Sequence, residues 1–136
     1  MQAETQQVIQ PEVQRAQKPL RLKSARDFQR VRQQGRSVGA ARLTLGWAPN
    51  TLAAWRCGYA VSKRVGGAVT RNRVKRRLRE IIRLQIKAGQ VAPGYDLVLI
   101  ARPGAAQATY QELAADVGQL LRRAQLWRAA PEGAAL

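Results

Sequence analysis

Residues 61–83, VSKRVGGAVTRNRVKRRLREIIR, decide how the rest of the chain is read. The front half reads as a loop in which Lys63 and Arg64 lead into the pair Gly66 and Gly67. The back half reads as a helix carrying Arg71, Arg73, Lys75, Arg76, Arg77, Arg79 and Arg83. At about 100° per residue, Val74, Leu78, Ile81 and Gln85 share one face, with Ile82 beside it. The opposite face collects Asn72, Arg76, Arg79 and Arg83, with Lys75 on its flank. Glu80 is the only acid between Asp27 and Asp96. Like charges one helical turn apart repel, so a face of this kind is relieved when an anion neutralises it. A polyphosphate backbone is the natural candidate.

The whole chain supports that reading. At 136 residues with 46% apolar content, it is expected to form one domain with one core. A net charge of +16 and a pI near 11.7 exceed what solubility requires and imply a polyanionic partner. No apolar run approaches the roughly 18 residues of a membrane span, and the Gln-rich start lacks the apolar core of a signal peptide. The single Cys57 cannot form an internal disulfide, which fits a reducing cytoplasm. With no histidine, His-based general-base catalysis and His metal ligation are excluded. Of the acids, only Glu112 and Asp116 stand within four residues of each other, and they read as a solvated helix face. The expectation is no catalytic side chain and no protein metal site. Reactive groups would come from elsewhere.

Working outward, residues 1–19 have little to bury and are broken by Pro11 and Pro19, so they read as a disordered tail. Ser24 as N-cap, Asp27 in the first turn and Gly35 as stop predict a helix over 25–34. Phe28 and Val31 form its thin apolar face. Phe28 is the one phenylalanine, either a core anchor or an aromatic against which a base stacks. ARLTLGWAPN alternates as a strand with Leu43, Leu45 and Trp47 on one face. WRCGYAVS follows as a second, with Trp55, Cys57, Tyr59 and Val61 on one face. The short connection predicts an antiparallel hairpin between them. Gly58 and Ala60 leave the other face low, which suits either tight helix packing or a nucleic-acid groove. Cys57 reads as a small core residue. The basic helix should begin between Gly67 and Thr70 and stop at Gly89. YDLVLIARP is a near-continuous apolar run, the mark of a strand covered on both faces. Thr109 and Glu112 form a capping-box signature for a last helix with Leu113, Val117, Leu120, Leu121 and Ala124 on one stripe. Residues 128–136 read as a frayed tail, leaving 20–127 as the domain.

Taken together, these segments resemble the protein subunit of bacterial ribonuclease P. The resemblance rests on Arg71-Asn72-Arg73 between a Gly-rich loop and a basic helix. SARDF precedes it, and YDLVLIARP and TYQEL follow in the same order as in the family. It implies an α/β (α+β) two-layer sandwich, with helix, strands, helix, strand and helix in sequence. The fold is shared with a ribosomal protein domain and an elongation-factor domain, and the family's crossover through the basic helix is left-handed. It also implies an endoribonuclease that removes the 5′ leader of precursor tRNA. Catalysis would be carried by the RNA subunit and its Mg²⁺, without an organic cofactor. The implied partners are ribonuclease P RNA and the leader, with no membrane and no DNA.

By the same resemblance, Arg71, Asn72, Arg73, Lys75, Arg76, Arg79 and Arg83, with Lys63 and Arg64 of the loop, would contact RNA. Phe28, Arg32 and Trp47 would face the leader. The chain departs from some relatives in having Arg32 for a second aromatic, Gly46 for a strand tyrosine and Gly67 for an asparagine. The alternative is a non-catalytic ribosomal or translation-factor-like RNA binder on the same fold. A membrane binder would need a wide apolar face on the basic helix, and a helix-turn-helix reader a partner helix just upstream. Neither feature is present in this reading.

Overall fold

A computed structural model describes residues 19–89 and 91–127. The two expected tails fall outside the described residues, apart from Pro19. The elements are β1 (Leu20–Arg21), α1 (Ala25–Gln34), β2 (Arg36–Gly39), β3 (Leu43–Pro49), β4 (Arg56–Val61), α2 (Ala68–Lys87), β5 (Tyr95–Ala101), a 3-10 turn (Pro103–Gln107) and α3 (Tyr110–Arg123).

Five strands form one sheet in the order β1-β4-β5-β3-β2. β5 is central because its sequence requires burial on both faces. Leu97, Leu99 and Ala101 face the main core, while Val98 and Ile100 face a smaller cluster behind the sheet. The main core is the layer between the sheet and helices α2 and α3. Leu43, Leu45 and Trp47 of β3 enter it alongside Trp55 and Cys57. On the other face α1 covers part of the sheet, with Val31 and Phe28 packed over Ala48, Val98 and Leu22. The result is an α+β fold whose two-layer body carries α1 on its back. The capping box at Thr109 is complete, with the Glu112 carboxylate accepting from Thr109 N–H at 2.9 Å and the Thr109 hydroxyl accepting from Glu112 N–H at 3.1 Å.

The expected hairpin of β3 with β4 does not form. β5 lies between them, antiparallel to β3 and parallel to β4. A β3–β4 pairing would have left the most apolar strand at an edge, with one row of its backbone groups unpaired. The connection over residues 50–55 instead arches across the start of β5. Asn50 N–H donates to Gly94 O at 2.8 Å, and Gly94 N–H donates to Ala54 O at 3.1 Å. β4 and β5 are therefore joined through α2 as adjacent parallel strands. β1 and β2 were not foreseen: one has two residues, and the other, RSVG, has no apolar alternation.

Gly58 settles the open question of the low face on β4. A Cβ placed there would sit 2.4 Å from Phe28 Cζ, so the ring of Phe28 occupies the space that a side chain would need. Likewise Val31 Cγ1 lies 3.4 Å from where a Cβ of Gly46 would be. The small residues seat α1 on the sheet.

Polar anchoring of α1 centres on Asp96, which is 0% exposed. Its carboxylate accepts from Arg30 of α1, from Arg56 Nε at 2.8 Å and Nη2 at 2.6 Å, and from Asn50 Nδ2 at 3.0 Å. Arg56 also reaches Asp27 of α1 at 3.6 Å. Burial alone would raise the pKa of Asp96. The hydrogen bonds from Arg56 and Asn50 and the nearby guanidinium charges outweigh it and hold the carboxyl below the usual range.

Candidate nucleic-acid interface

The loop before α2 displays its cations by a simple device. Val65 is 5% exposed and pins the turn into the core. Its N–H donates to Ser62 O at 3.1 Å, and Gly66 N–H to Lys63 O at 3.2 Å, which leaves Lys63 and Arg64 exposed at the tip. Gly66 has φ +154°, a conformation that side chains disfavour, and a Cβ there would press on Thr70 at 3.1 Å. The helix then runs for 20 residues from an N-cap at Gly67.

Val74, Leu78, Ile81 and Ile82 of α2 are buried, as their spacing predicts, and Ile86 is buried with them. Gln85 is only half-buried, at the margin of this face. The cations around them divide into two groups. Arg73 donates to Ala106 O and Arg77 to Ala108 O, both at 3.1 Å, so both arginines tie α2 to the segment around the 3-10 turn. Arg83 donates to Glu80 at 2.7 and 3.1 Å. By contrast, Asn72, Arg76 and Arg79 are exposed, Arg71 and Lys75 half-buried, and none has a carboxylate partner among the described residues. The free group is therefore narrower than the sequence implied, since Arg73 and Arg83 are already engaged.

The described acids are all taken. Asp27 and Asp96 pair with Arg56, and Asp96 also with Arg30; Glu80 pairs with Arg83, and Glu112 and Asp116 with Arg42. Glu112 and Asp116 are thus not merely a solvated face. Arg42 donates to both, at 2.9 and 2.7 Å, and joins the start of β3 to α3. Each of these five acids already serves an arginine. Cys57 is 3% exposed, and burial pushes its thiol up to about 12, so it stays protonated and inert as expected of a core cysteine.

The structure brings α1 and α2 to one groove. Phe28 of α1, Lys75 and Arg79 of α2, Cys57, Gly58 and Tyr59 of β4, and Arg21, Leu22 and Lys23 line it. Arg79 lies over the Tyr59 ring, 5.8 Å from its centroid. A second groove along α1 is lined by Phe28, Arg32 and Lys23, so Arg32 lies close to Phe28. Trp47 does not join them. It is 9% exposed and belongs to the main core on the opposite face of the sheet. The alternation of β3 had already placed Trp47 with Leu43 and Leu45, which is the signal that separates it from Phe28. Arg21 was missed as a groove residue because its placement depends on the two-residue β1, and Tyr59 because the alternation of β4 set it with Trp55 and Cys57 on the core face.

The ribonuclease P family model matches residues 16–125. The ribonuclease P protein component of Roseiflexus sp. (strain RS-1) is 46% identical over 114 residues, covering 83% of this chain and 92% of the relative. Among solved structures, the RNase P protein of Staphylococcus aureus superposes with a TM-score of 0.74 at 29% identity, covering 82% of this chain and 100% of the other. The RNase P protein from Thermotoga maritima gives a TM-score of 0.69 at 28% identity, covering 76% and 96%.

Proposed function

The chain belongs to the ribonuclease P protein family, and we propose that within that enzyme it docks on the catalytic RNA and positions the precursor tRNA leader. It is the ribonuclease P protein subunit, an RNA-binding component of tRNA processing. The finer reading is that Arg71, Asn72, Lys75, Arg76 and Arg79, with Lys63 and Arg64, meet the ribonuclease P RNA. Phe28 and Arg32 would face the leader. The observation that carries it is the row of unpaired cations along α2, in a protein whose described acids are all paired with arginine. Guanidinium forks suit phosphate oxygens, and Asn72 can donate and accept at once.

Bond cleavage is assigned to the RNA subunit with Mg²⁺ that the RNA holds. In support, the chain lacks histidine and its described carboxylates are engaged elsewhere. The protein's part is to bind and orient. Its place of work would be the cytoplasm; no helix among the described residues is long and apolar enough to cross a membrane. The relatives and solved structures give no support to the ribosomal or translation-factor alternative.

The direct test is reconstitution. Added to a bacterial ribonuclease P RNA at low Mg²⁺, the protein should restore cleavage of precursor tRNA at the mature 5′ end. A folded protein that gives no stimulation would overturn the assignment. Salt dependence tests the surface itself. If Arg71, Lys75, Arg76, Arg79, Lys63 and Arg64 each meet a phosphate, log K should fall with log salt at a slope of about −4 to −5. A flat response in filter binding would mean that these side chains are only solvated.

A further inference from the structure

Glu80 is the only acid of α2, and its choice of partner is selective. Arg76 stands four residues before it, Arg77 three before and Arg83 three after. Arg77 donates to Ala108 O, and Arg76 has no carboxylate partner among the described residues. Glu80 takes Arg83 alone: Arg83 Nε donates to Oε2 at 3.1 Å and Nη2 to Oε1 at 2.7 Å. The cations crowd over residues 71–79, and the one acid turns away from them. The two side chains are 46% and 44% exposed, and an ion pair so open to water adds little to stability.

The contact uses one edge of the Arg83 guanidinium and leaves the other open. Both N–H groups of Nη1 and one of Nη2 have no acceptor among the described residues. Two parallel hydrogen bonds to a carboxylate fix the plane of the fork. They also neutralise it. The hydrogen bond from Arg83 holds the Glu80 carboxyl below its usual range, so the pair is ionised and carries no net charge at neutral pH. A neutralised fork gains less from a phosphate but keeps the geometry that fits two acceptors side by side. Guanine offers such a pair in O6 and N7. Arg83 is exposed on the outer face of α2 with Asn72, Arg76 and Arg79, one turn beyond Arg79.

We propose that Arg83, oriented by Glu80, reads a guanine of the ribonuclease P RNA at the far end of the α2 docking surface. The proposal rests on the reading of α2 as the face that meets this RNA. It adds sequence recognition to a surface whose other cations recognise phosphate. An A-form duplex hides this edge of its bases in a deep, narrow groove, so the guanine stands unpaired in a loop or bulge. Arg83 makes the contact, and Glu80 is a positioning residue that acts through it.

The test measures affinity of the full chain for ribonuclease P RNA and for an unrelated structured RNA of equal length, across a salt series. Arg83→Ala should cost about tenfold with ribonuclease P RNA, with little change for the unrelated RNA or in the salt slope. Arg83→Lys should lose as much, because an ammonium keeps the charge but not the fork. Glu80→Gln should bind the unrelated RNA more tightly and steepen its salt slope by about one, since Arg83 then acts as a free cation. Ribonuclease P RNA doped with 7-deazaguanosine, which lacks the N7 acceptor, should show interference at a guanosine with wild type and none there with Arg83→Ala. Full activity of Arg83→Lys in binding, beside an Arg83→Ala slope shallower by about one, assigns Arg83 to a phosphate and overturns the proposal. So does the absence of any interference that depends on Arg83. Either result leaves α2 as the docking face. A wild type that binds both RNAs equally removes that reading and the proposal with it.

Discussion

Asp96→Ala should destabilise the protein by about 3 kcal/mol, the low end of the cost of removing one partner from a buried ion pair, because its arginines are partly exposed. For a domain of this size that corresponds to a melting temperature lower by roughly 10 °C. The size follows from what is left behind. Arg30 and Arg56 have side chains 29% and 26% exposed, so each guanidinium would remain partly desolvated without its counterion. Asn50 would lose one acceptor and the arch over residues 50–55 one of its ties. α1 should loosen first, since Arg30 and the contact of Arg56 with Asp27 are its polar links to the sheet. Thermal melts of the two proteins decide the matter; a change within about 0.5 kcal/mol would mean that apolar packing alone holds α1.

The same cluster sets a pH dependence. The folded pKa of Asp96 lies below its ordinary value, so its stabilisation is fully present above about pH 4 and is lost as pH falls through the folded value. Glu80 and Glu112 are also depressed, the first by hydrogen bonding from Arg83, the second by the Thr109 backbone and then Arg42. They act in the same window but are exposed. Wild type should therefore lose stability steeply below about pH 4, and Asp96→Ala should flatten most of that slope.

The second large effect concerns assembly. Arg71→Ala combined with Arg76→Ala should weaken binding to ribonuclease P RNA by roughly a hundredfold, about tenfold for each charge-assisted phosphate contact. Stability should change little, because neither side chain has a carboxylate partner among the described residues. Phe28→Ala should act differently. Loss of a base-stacking aromatic is worth about 1–3 kcal/mol, so precursor preference should fall roughly five- to a hundredfold while RNA assembly is kept. Phe28 is also packed against Gly58, so the variant must be shown to be folded at the assay temperature; Phe28→Leu retains more of that packing. Equal effects of both changes on both affinities would mean one binding surface rather than two.

Much of this was legible in the sequence, for local reasons. The limits and buried face of α2, the cap at Thr109 and the two-sided burial of β5 depend on spacing and turn chemistry within a few residues. The helical spacing also set Arg73 and Arg77 apart from the outer face, although only the structure shows the carbonyls they reach. What could not be read depends on distant partners. Strand pairing is a choice among competing edges, and a short connection alone favoured β3 with β4 over the insertion of β5. The role of Asp96 depends on arginines 40 and 66 residues away. Arg42 is separated from its two acids by 70 and 74 residues. β1 is too short to have a pattern, and without it Arg21 has no address.

The seat of α1 has a consequence for how this protein can vary. A Cβ at position 58 would lie 2.4 Å from Phe28 Cζ, so positions 28 and 58 draw on a single volume across the helix and the strand. Bulk can be exchanged between them but not added. A lineage that enlarges residue 58 must shrink residue 28 or lift the helix, and with it the aromatic edge that faces the groove. The two sites should therefore drift as a pair, although one lies at the groove's margin and the other beneath it.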